Sequence, residues 1–216
     1  TGNEDGKKIV LFHGINAGAP LTLEAVLGLR KKYLLFAIDT IGQATKSDET
    51  TLNIKDASYA LWADEVLEQL SIQSANFIGI SYGAYILQKL ITHKSDRISK
   101  AIFIVPSGLV NGKMIPSLRK LSFPLMKYMM TKKEKHLKAF TSAFVAEEDE
   151  FMFRMQKALL DGVNMDFRRP LLLKEQQVSH FTKPVYIMVS DDDIFFPGDE
   201  AIKRAKQIFK NIEGLH

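Results

Sequence analysis

The stretch Gly-Ile-Ser-Tyr-Gly at residues 79–83 constrains the fold of this chain more than any other feature. It follows an apolar run that ends at Ile80 and precedes a helical pattern that begins at Tyr82. A serine at the tip of such a strand-to-helix turn lies in a sharp bend that directs its hydroxyl out of the fold. Side chains at positions 79 and 83 would collide with the crossing strand and helix, so both positions need glycine. Because the pattern has the required context on both sides, Ser81 is predicted to be a nucleophile rather than a residue of tight packing.

Short apolar strands alternate with helical patterns over the first half of the chain. The predicted elements are strands at 7–12, 33–38, 75–80 and 100–105, and helices at 22–32, 56–70 and 82–92. This order predicts an α/β fold with a mostly parallel, doubly wound sheet that helices cover on both faces. His13, Asp39 and Ser81 then lie beyond the carboxyl ends of their strands, where such sheets bind ligands.

From Pro106 to Thr182 this alternation stops. Helical patterns rich in Met and Phe follow one another there at 117–130, 132–146 and 148–160 without a strand. A strand returns only at 184–189, and a helix is predicted after it at 200–210. We therefore expect a core in two parts, residues 1–105 and 183–216, and a helical cap at 106–182. Seven side chains of this cap are candidates either for the roof of an apolar pocket or for packing between its helices: Met126, Met129, Met130, Phe140, Phe144, Phe151 and Phe153.

Composition excludes several classes of protein. The 216 residues are 46% hydrophobic and 25% charged and include no cysteine, which excludes disulfides, thiolate zinc sites and a cysteine nucleophile. No apolar run approaches the ~20 residues of a membrane helix, and residues 1–8 contain no signal-peptide core, so a cytoplasmic location is predicted unless a leader was removed. The lysines at 132–138 alternate with Glu134 and apolar residues as on a solvated helix face. Neither nucleic-acid binding nor binding to anionic membranes is expected from this run, stable membrane insertion is not expected either, and no cofactor or metal is predicted.

Four motifs together resemble the α/β-hydrolase superfamily, in particular its capped, carboxylesterase-like serine hydrolases. They are His13-Gly14, Asp39-x-x-Gly42, Gly79-x-Ser81-x-Gly83 and Asp193-x-x-x-Pro197, and they occur in the order and spacing of that family. The resemblance covers nearly all of the chain outside the insertion. It implies a hydrolase for a small carboxylic ester or thioester that acts through an acyl-enzyme. A serine at the elbow, rather than an aspartate, argues against epoxide hydrolase and haloalkane dehalogenase chemistry.

The resemblance also implies roles for individual residues. Asp193 is the expected acid of a catalytic triad because it lies four residues before Pro197, although composition alone does not separate it from Asp191 and Asp192. The oxyanion hole is expected to consist of the backbone N–H groups of Tyr82 and Ile15. His13 is expected to bond to loop carbonyls beneath the site, and Asp39 and Gly42 to set the turn under the oxyanion loop.

The general base is the open position in this scheme. His93, His136 and His180 fall at the far end of a helix or in the insertion, which leaves His216 after Asp193 in the required order. Residues 211–216, however, resemble the start of the last strand of the family, and the catalytic histidine follows that strand. We therefore expect a base beyond residue 216 and a longer protein. Two alternatives stay open: a C–C bond hydrolase or lyase that uses the same serine, and a ligand-binding homologue without catalysis.

Overall fold

The computed structural model describes residues 1–145, 147–163, 168–191 and 193–215, with only the backbone of residue 114. It divides into two compact units. The sheet unit comprises Thr1–Asn111 and Arg168–His216, and the insertion unit comprises Gly112–Phe167. The insertion unit is shorter than the cap expected at 106–182, because residues 106–111 and 168–182 belong to the sheet unit.

Among the described residues, six strands form a single parallel sheet. They are β1 (Lys7–Phe12), β2 (Tyr33–Ile38), β3 (Ala75–Ile80), β4 (Ile98–Ile104), β5 (Val185–Met188) and β6 (Ile212–Leu215). Their spatial order is β2-β1-β3-β4-β5-β6. Phe12 pairs with Gly79, and Ile80 pairs with Ile104, so these strands end at one edge of the sheet. The predicted α/β class with a parallel sheet is confirmed.

Helices cover both faces of this sheet. Since alternate strand residues point to opposite sides, each strand contributes side chains to the packing on both faces. Before the insertion, the helices of the sheet unit are α1 (Gly18–Ala25), α2 (Ser58–Gln69) and α3 (Tyr82–Lys94). Two further helices of this unit follow the insertion. Val10 and Phe12 lie in the larger core cluster with residues of α2 and α3, whereas Ile9 and Leu11 lie in a smaller one. The helix predicted at 22–32 is broken at Val26, where the backbone leaves helical geometry, and a 3-10 turn follows at Leu27–Lys31.

The insertion unit consists of helices only, within the residues described. They are α4 (Met114–Ser117), a π-helical turn (Leu118–Ser122), α5 (Phe123–Thr131), α6 (Glu134–Thr141) and α7 (Glu150–Gly162). Tyr128, Leu137, Phe140 and Leu160 form its core. Lys132 adopts a left-handed conformation that ends α5 and separates it from α6. In the described parts of the chain, no helix combines the length and apolarity needed to cross a bilayer.

The chain then returns to the sheet unit with α8 (Glu175–Val178), strand β5 and α9 (Gly198–Ile208). Pro197 is the N-cap residue of α9, and its carbonyl accepts the first helical hydrogen bond from Ala201 N over 2.9 Å. These bounds agree with the strand predicted at 184–189 and the helix at 200–210 to within two residues. The carboxyl end of β5 therefore reaches the same sheet edge as β1, β3 and β4.

Candidate active site

Ser81 lies at the junction of β3 and α3 in a strained backbone conformation. Its φ is 49° and its ψ is −111°, a region that non-glycine residues rarely occupy and that costs about 1–3 kcal/mol. The amide of Ser81 donates to the carbonyl of Ile104 over 2.9 Å, and its own carbonyl accepts from Ala84 N over 3.0 Å. The sharp bend predicted at this serine is therefore present, and the sheet holds it in place.

Glycine is needed on both sides of Ser81 for reasons of space. A Cβ on Gly79 would lie 2.6 Å from the Cα of Ala84, and one on Gly83 would lie 2.0 Å from the carbonyl oxygen of Phe12. Both distances are far below van der Waals contact, so neither position accepts a side chain without a backbone shift. The predicted collisions with the neighbouring helix and strand are confirmed.

A brace from the segment after β4 supports the bend, and the sequence analysis did not identify it. The buried Ser107 donates from Oγ to the Ser81 carbonyl over 2.9 Å. The Ser107 carbonyl in turn accepts from Nε2 of Gln88 on α3 over 2.8 Å. Gly108 packs so closely on Gln88 that a Cβ there would lie 2.5 Å from its Oε1. A buried glutamine on an otherwise apolar helix face is the one sequence signal that could have indicated this brace.

The loop after β1 lies directly against the serine. A Cβ built on Gly14 would be 3.6 Å from the Cβ of Ser81. The side chain of the buried His13 fixes the start of this loop, because its Nε2 accepts from Thr40 N over 2.9 Å and its Nδ1 lies 2.6 Å from the Gly14 carbonyl. Since Nε2 accepts, Nδ1 carries the proton and donates to Gly14. Burial lowers the pKa of His13, against the raising effects of the Gly14 carbonyl and Asp39, and favours this neutral form.

The far side of the same loop is held by Asn16. Its backbone amide donates to Oε1 of Gln43 over 2.9 Å, and its Oδ1 accepts from Ala44 N over 3.2 Å. Between these two anchors lies Ile15, whose amide donates to no group in the part of the chain that the structure describes. An amide held rigidly beside a serine, with its hydrogen uncommitted, can stabilise negative charge on a bound molecule.

Asp39 and Gly42 lie in the loop after β2. Oδ1 of Asp39 accepts from Ala19 N over 2.8 Å, which connects this loop to the start of α1. Gly42 has a φ of 74°, and its amide donates to the Asp48 carbonyl over 2.8 Å. The two residues shape the turn beside the loop of His13, consistent with the structural role expected for them.

Tyr82 is the first residue of α3, and its ring packs between those of Tyr59 and Tyr85. The amides of a helix's first turn lie outside the i→i−4 ladder and carry the positive end of the helix dipole. Ser81 thus lies between the N-terminus of α3 and the loop of Ile15. The two amides predicted as an oxyanion hole are on elements that meet at this serine.

Asp193 lies in the turn between β5 and α9. Its Oδ1 accepts from the amides of Phe195 and Phe196 over 2.7 and 3.0 Å, and its own amide donates to the Ser190 carbonyl over 3.3 Å. This carboxylate is half-buried and held by its own turn, whereas Asp191 is exposed. Because β3 and β5 flank β4, residues beyond their carboxyl ends are separated by two strand spacings, roughly 10 Å. The alternative at Asp192 lies outside the described residues.

The described histidines of the sheet unit are not placed to act on Ser81 as a base. His13 is buried and both its ring nitrogens are engaged. His93 is near the C-terminus of α3, and His136 is on the insertion unit. Nε2 of His180 lies 3.1 Å from the Ile91 carbonyl, also near the end of α3 remote from Ser81. His216, the candidate that follows Asp193, lies outside the described residues.

Comparisons with known proteins agree with this architecture. The model of the α/β hydrolase fold family matches residues 7–134. Two carboxylesterases of Bacillus subtilis strain 168 are related in sequence. One, the uncharacterized carboxylesterase nap, is 26% identical over 107 residues, which are 50% of this chain and 36% of that protein. The other, carboxylesterase YbfK, is 20% identical over 223 residues, which are 99% of this chain and 73% of that protein.

A solved structure with the same fold is that of naproxen esterase (carboxylesterase NP) from Bacillus subtilis. It superposes with a TM-score of 0.81 at 16% identity and covers 100% of this chain and 77% of its own. At this identity the superposition establishes the fold.

Proposed function

Because this chain belongs to the α/β hydrolase fold family, we propose that it is a serine hydrolase that cleaves a small carboxylic ester or thioester. The observation that carries this proposal is the strained turn at Ser81, against which the loop of Ile15 packs. Strain of this kind persists only where the surrounding structure enforces it, and it is concentrated at functional sites. The carboxylesterase names of the two Bacillus relatives support an ester as the substrate.

In the first step Oγ of Ser81 attacks the acyl carbon while an imidazole takes its proton. The carbonyl oxygen becomes an oxyanion, which the amides of Ile15 and Tyr82 stabilise by about 3 kcal/mol each. The imidazole then gives the proton to the departing alcohol or thiol, which leaves Ser81 acylated. Water attacks the acyl-enzyme in the second step with the same proton transfers and releases the carboxylic acid.

Asp193 orients the imidazole and stabilises its protonated form. The two amides bonded to Oδ1 hold the carboxylate in place. A histidine that follows β6 supplies the imidazole, either His216 or a residue beyond it. Strand β6 lies at the edge of the sheet beside β5, the strand that Asp193 follows.

Covalent labelling tests this proposal. A fluorophosphonate probe should label the full-length protein at Ser81, as located by mass spectrometry of the labelled peptide. Ser81→Ala should abolish labelling and lower kcat for a short nitrophenyl ester by at least about 10⁴-fold. Ser99→Ala is the matched control, because this exposed serine lies in β4 near the opposite edge of the sheet, and it should be labelled like the wild type. An unlabelled but well-folded full-length protein would rule out the serine hydrolase.

A substrate comparison separates ester hydrolysis from C–C bond cleavage. The full-length protein is assayed with short nitrophenyl esters and with a vinylogous diketone. We expect turnover of the esters alone. Turnover of the diketone with no ester hydrolysis would favour the C–C hydrolase, and turnover of neither would favour a ligand-binding homologue.

A further inference from the structure

Positive charge is concentrated in one part of the insertion unit. Residues 113–138 contain eight of the 29 lysines and arginines and one of the 25 acidic residues of the chain. This stretch therefore carries a formal charge of +7, and the remainder of the chain carries −3, against a total of +4. Among the described residues no carboxylate forms an ion pair with Arg119, Lys120, Lys127, Lys133 or Lys135. The charge of these five side chains is therefore not neutralised by ion pairs within the described residues.

Large apolar side chains are exposed in the same stretch. Six of them on α4, the π-helical turn and α5 are exposed to solvent: Ile115, Leu118, Phe123, Met126, Met129 and Met130. Met130 is 78% exposed and Ile115 is 74% exposed, so these side chains add little to the core of the unit. Isolated apolar side chains are common on surfaces, but a contiguous group beside a charged rim usually marks a binding surface.

Helical periodicity places these apolar and basic groups on one face of α5. Phe123, Met126 and Met130 are spaced by three and four residues and share that face, with Lys127 between them. On the opposite side Tyr128 is fully buried in the core of the unit. The exposed face of α5 is thus apolar at its centre and basic at its margin, which is the pattern of helices that lie in a membrane interface.

A cationic cavity opens beside this face. Its volume is about 300 Å³, and its lining residues are Arg119, Phe123, Pro124, Lys127, His136 and Ala139. Arg119 and Lys127 are basic side chains, and the guanidinium of Arg119 offers paired donors to a phosphate. The pKa of His136 is lowered by desolvation first and then by Lys135, Lys127 and Lys133, so the imidazole lies in a positive field. A phosphate bound here would be adjacent to the ring of Phe123.

We propose that the exposed face of α5 and the adjacent cavity dock this protein on bilayers that contain anionic phospholipids. The cavity binds a lipid phosphate, and Phe123, Met126 and Met130 enter the boundary between headgroups and acyl chains. Charge complementarity selects this occupant, because the anionic surface of a bilayer attracts a stretch of +7. A nucleic acid would satisfy the basic groups but would leave the thioether and aliphatic side chains in water. Docking of this kind is peripheral and needs no spanning helix.

Vesicle binding tests the proposal on the full-length protein. We expect co-sedimentation with phosphatidylcholine vesicles that contain about one third phosphatidylglycerol, and little with phosphatidylcholine alone. Each basic side chain near an anionic surface contributes about a fivefold gain in binding, so Lys127→Glu should weaken it by at least that factor. Lys206→Glu, an identical charge change at an exposed position of α9, controls for net charge and should have less effect. Equal losses for the two variants would contradict a specific surface.

Tryptophan fluorescence tests whether the apolar face enters the interface. The chain has a single tryptophan, Trp62, which packs on the core of the sheet unit. Met130→Trp should add an emission that shifts to the blue with the anionic vesicles and not with inorganic phosphate. Leu61→Trp, at an exposed apolar position of α2, should show no shift. An unshifted Met130→Trp emission, or binding to RNA but not to vesicles, would overturn the proposal.

Discussion

In the sheet unit, strands β1, β3 and β4 contribute fully buried Phe12, Phe77 and Phe103 to a core that continues into α2 and α3. Among the described residues, the core cluster of the insertion unit has four buried side chains, and the hydrogen bonds and ion pairs of a surface carboxylate also stabilise the unit. Asp161 accepts from Tyr128 Oη, from Lys132 Nζ over 2.8 Å and from Lys157 Nζ over 2.6 Å. The first unit thus depends on close backbone packing, which permits strain at Ser81, whereas the second depends more on side-chain contacts at its surface.

Adding one methyl group at two glycines should give the largest contrast between the units. Gly83→Ala places a Cβ 2.0 Å from the Phe12 carbonyl and should destabilise the protein by about 3 kcal/mol or more, if it folds at all. Gly162→Ala, at the end of α7, has no heavy atom within 4 Å of its Cβ and should be neutral or stabilising by up to about 1 kcal/mol. Urea unfolding measures both. Similar losses would mean that packing is equally tight in the two units.

Neutralising one carboxylate in each unit should sharpen the comparison. Asp64 on α2 bonds to Lys94 and Arg97 over 2.9 and 2.6 Å and is only 14% exposed, whereas Asp161 is 32% exposed. Asp64→Asn should cost about 1–2 kcal/mol, a loss that persists in high salt because the ion pairs are largely shielded from solvent. Asp161→Asn should loosen α5 and α7, as amide hydrogen exchange reports, and salt should reduce that effect. A salt-insensitive Asp161→Asn variant would contradict this distinction.

The burial of His13 should make the stability of the protein depend on pH. Its pKa is lowered in the folded protein, so the unfolded chain binds the additional proton first. The free energy of unfolding is then unaffected above the ordinary value of 6.5 and falls by up to about 1.4 kcal/mol per pH unit below it, until the lowered pKa is reached.

Urea unfolding between about pH 7.5 and 5.5 measures this slope. His13→Gln should flatten this slope. His136→Gln should change the slope less, because His136 on the insertion unit is only half-buried. An unchanged slope in His13→Gln would assign the pH dependence to other groups.

The smallest expected effect concerns the start of α7. Oδ1 of Asp149 accepts from the amide of Met152 over 3.0 Å and caps this helix. Asp149→Ala should destabilise the insertion unit by about 1 kcal/mol and leave protection of the strands unchanged. Asp149→Asn, which keeps the cap, serves as the control. Hydrogen exchange at α7 and β3 provides the measurement, and equal deprotection of both would show that the units unfold together.

Much of the sheet was predictable because its strands carry their signal locally. The predicted bounds 7–12, 33–38 and 75–80 agree with β1, β2 and β3 residue for residue. Each is a short apolar run, and a strand buried on both faces needs such a run whatever its neighbours are. The helices of the insertion were harder to delimit. The helix expected over 132–146 spans only 134–141, since local composition does not reveal the left-handed residue at Lys132.

The sequence by itself determined the α/β class, the turn at Ser81 and the need for glycine on each side of it. These depend on residues that are close together in the chain, so their steric requirements can be deduced from order alone. Only the tertiary structure decided which groups support that turn. The Ser107–Gln88 brace, the His13–Thr40 bond and the contact of Gly14 with Ser81 join segments 19 to 67 residues apart. Such contacts form only when the sheet brings the strand ends together, and no local pattern encodes them.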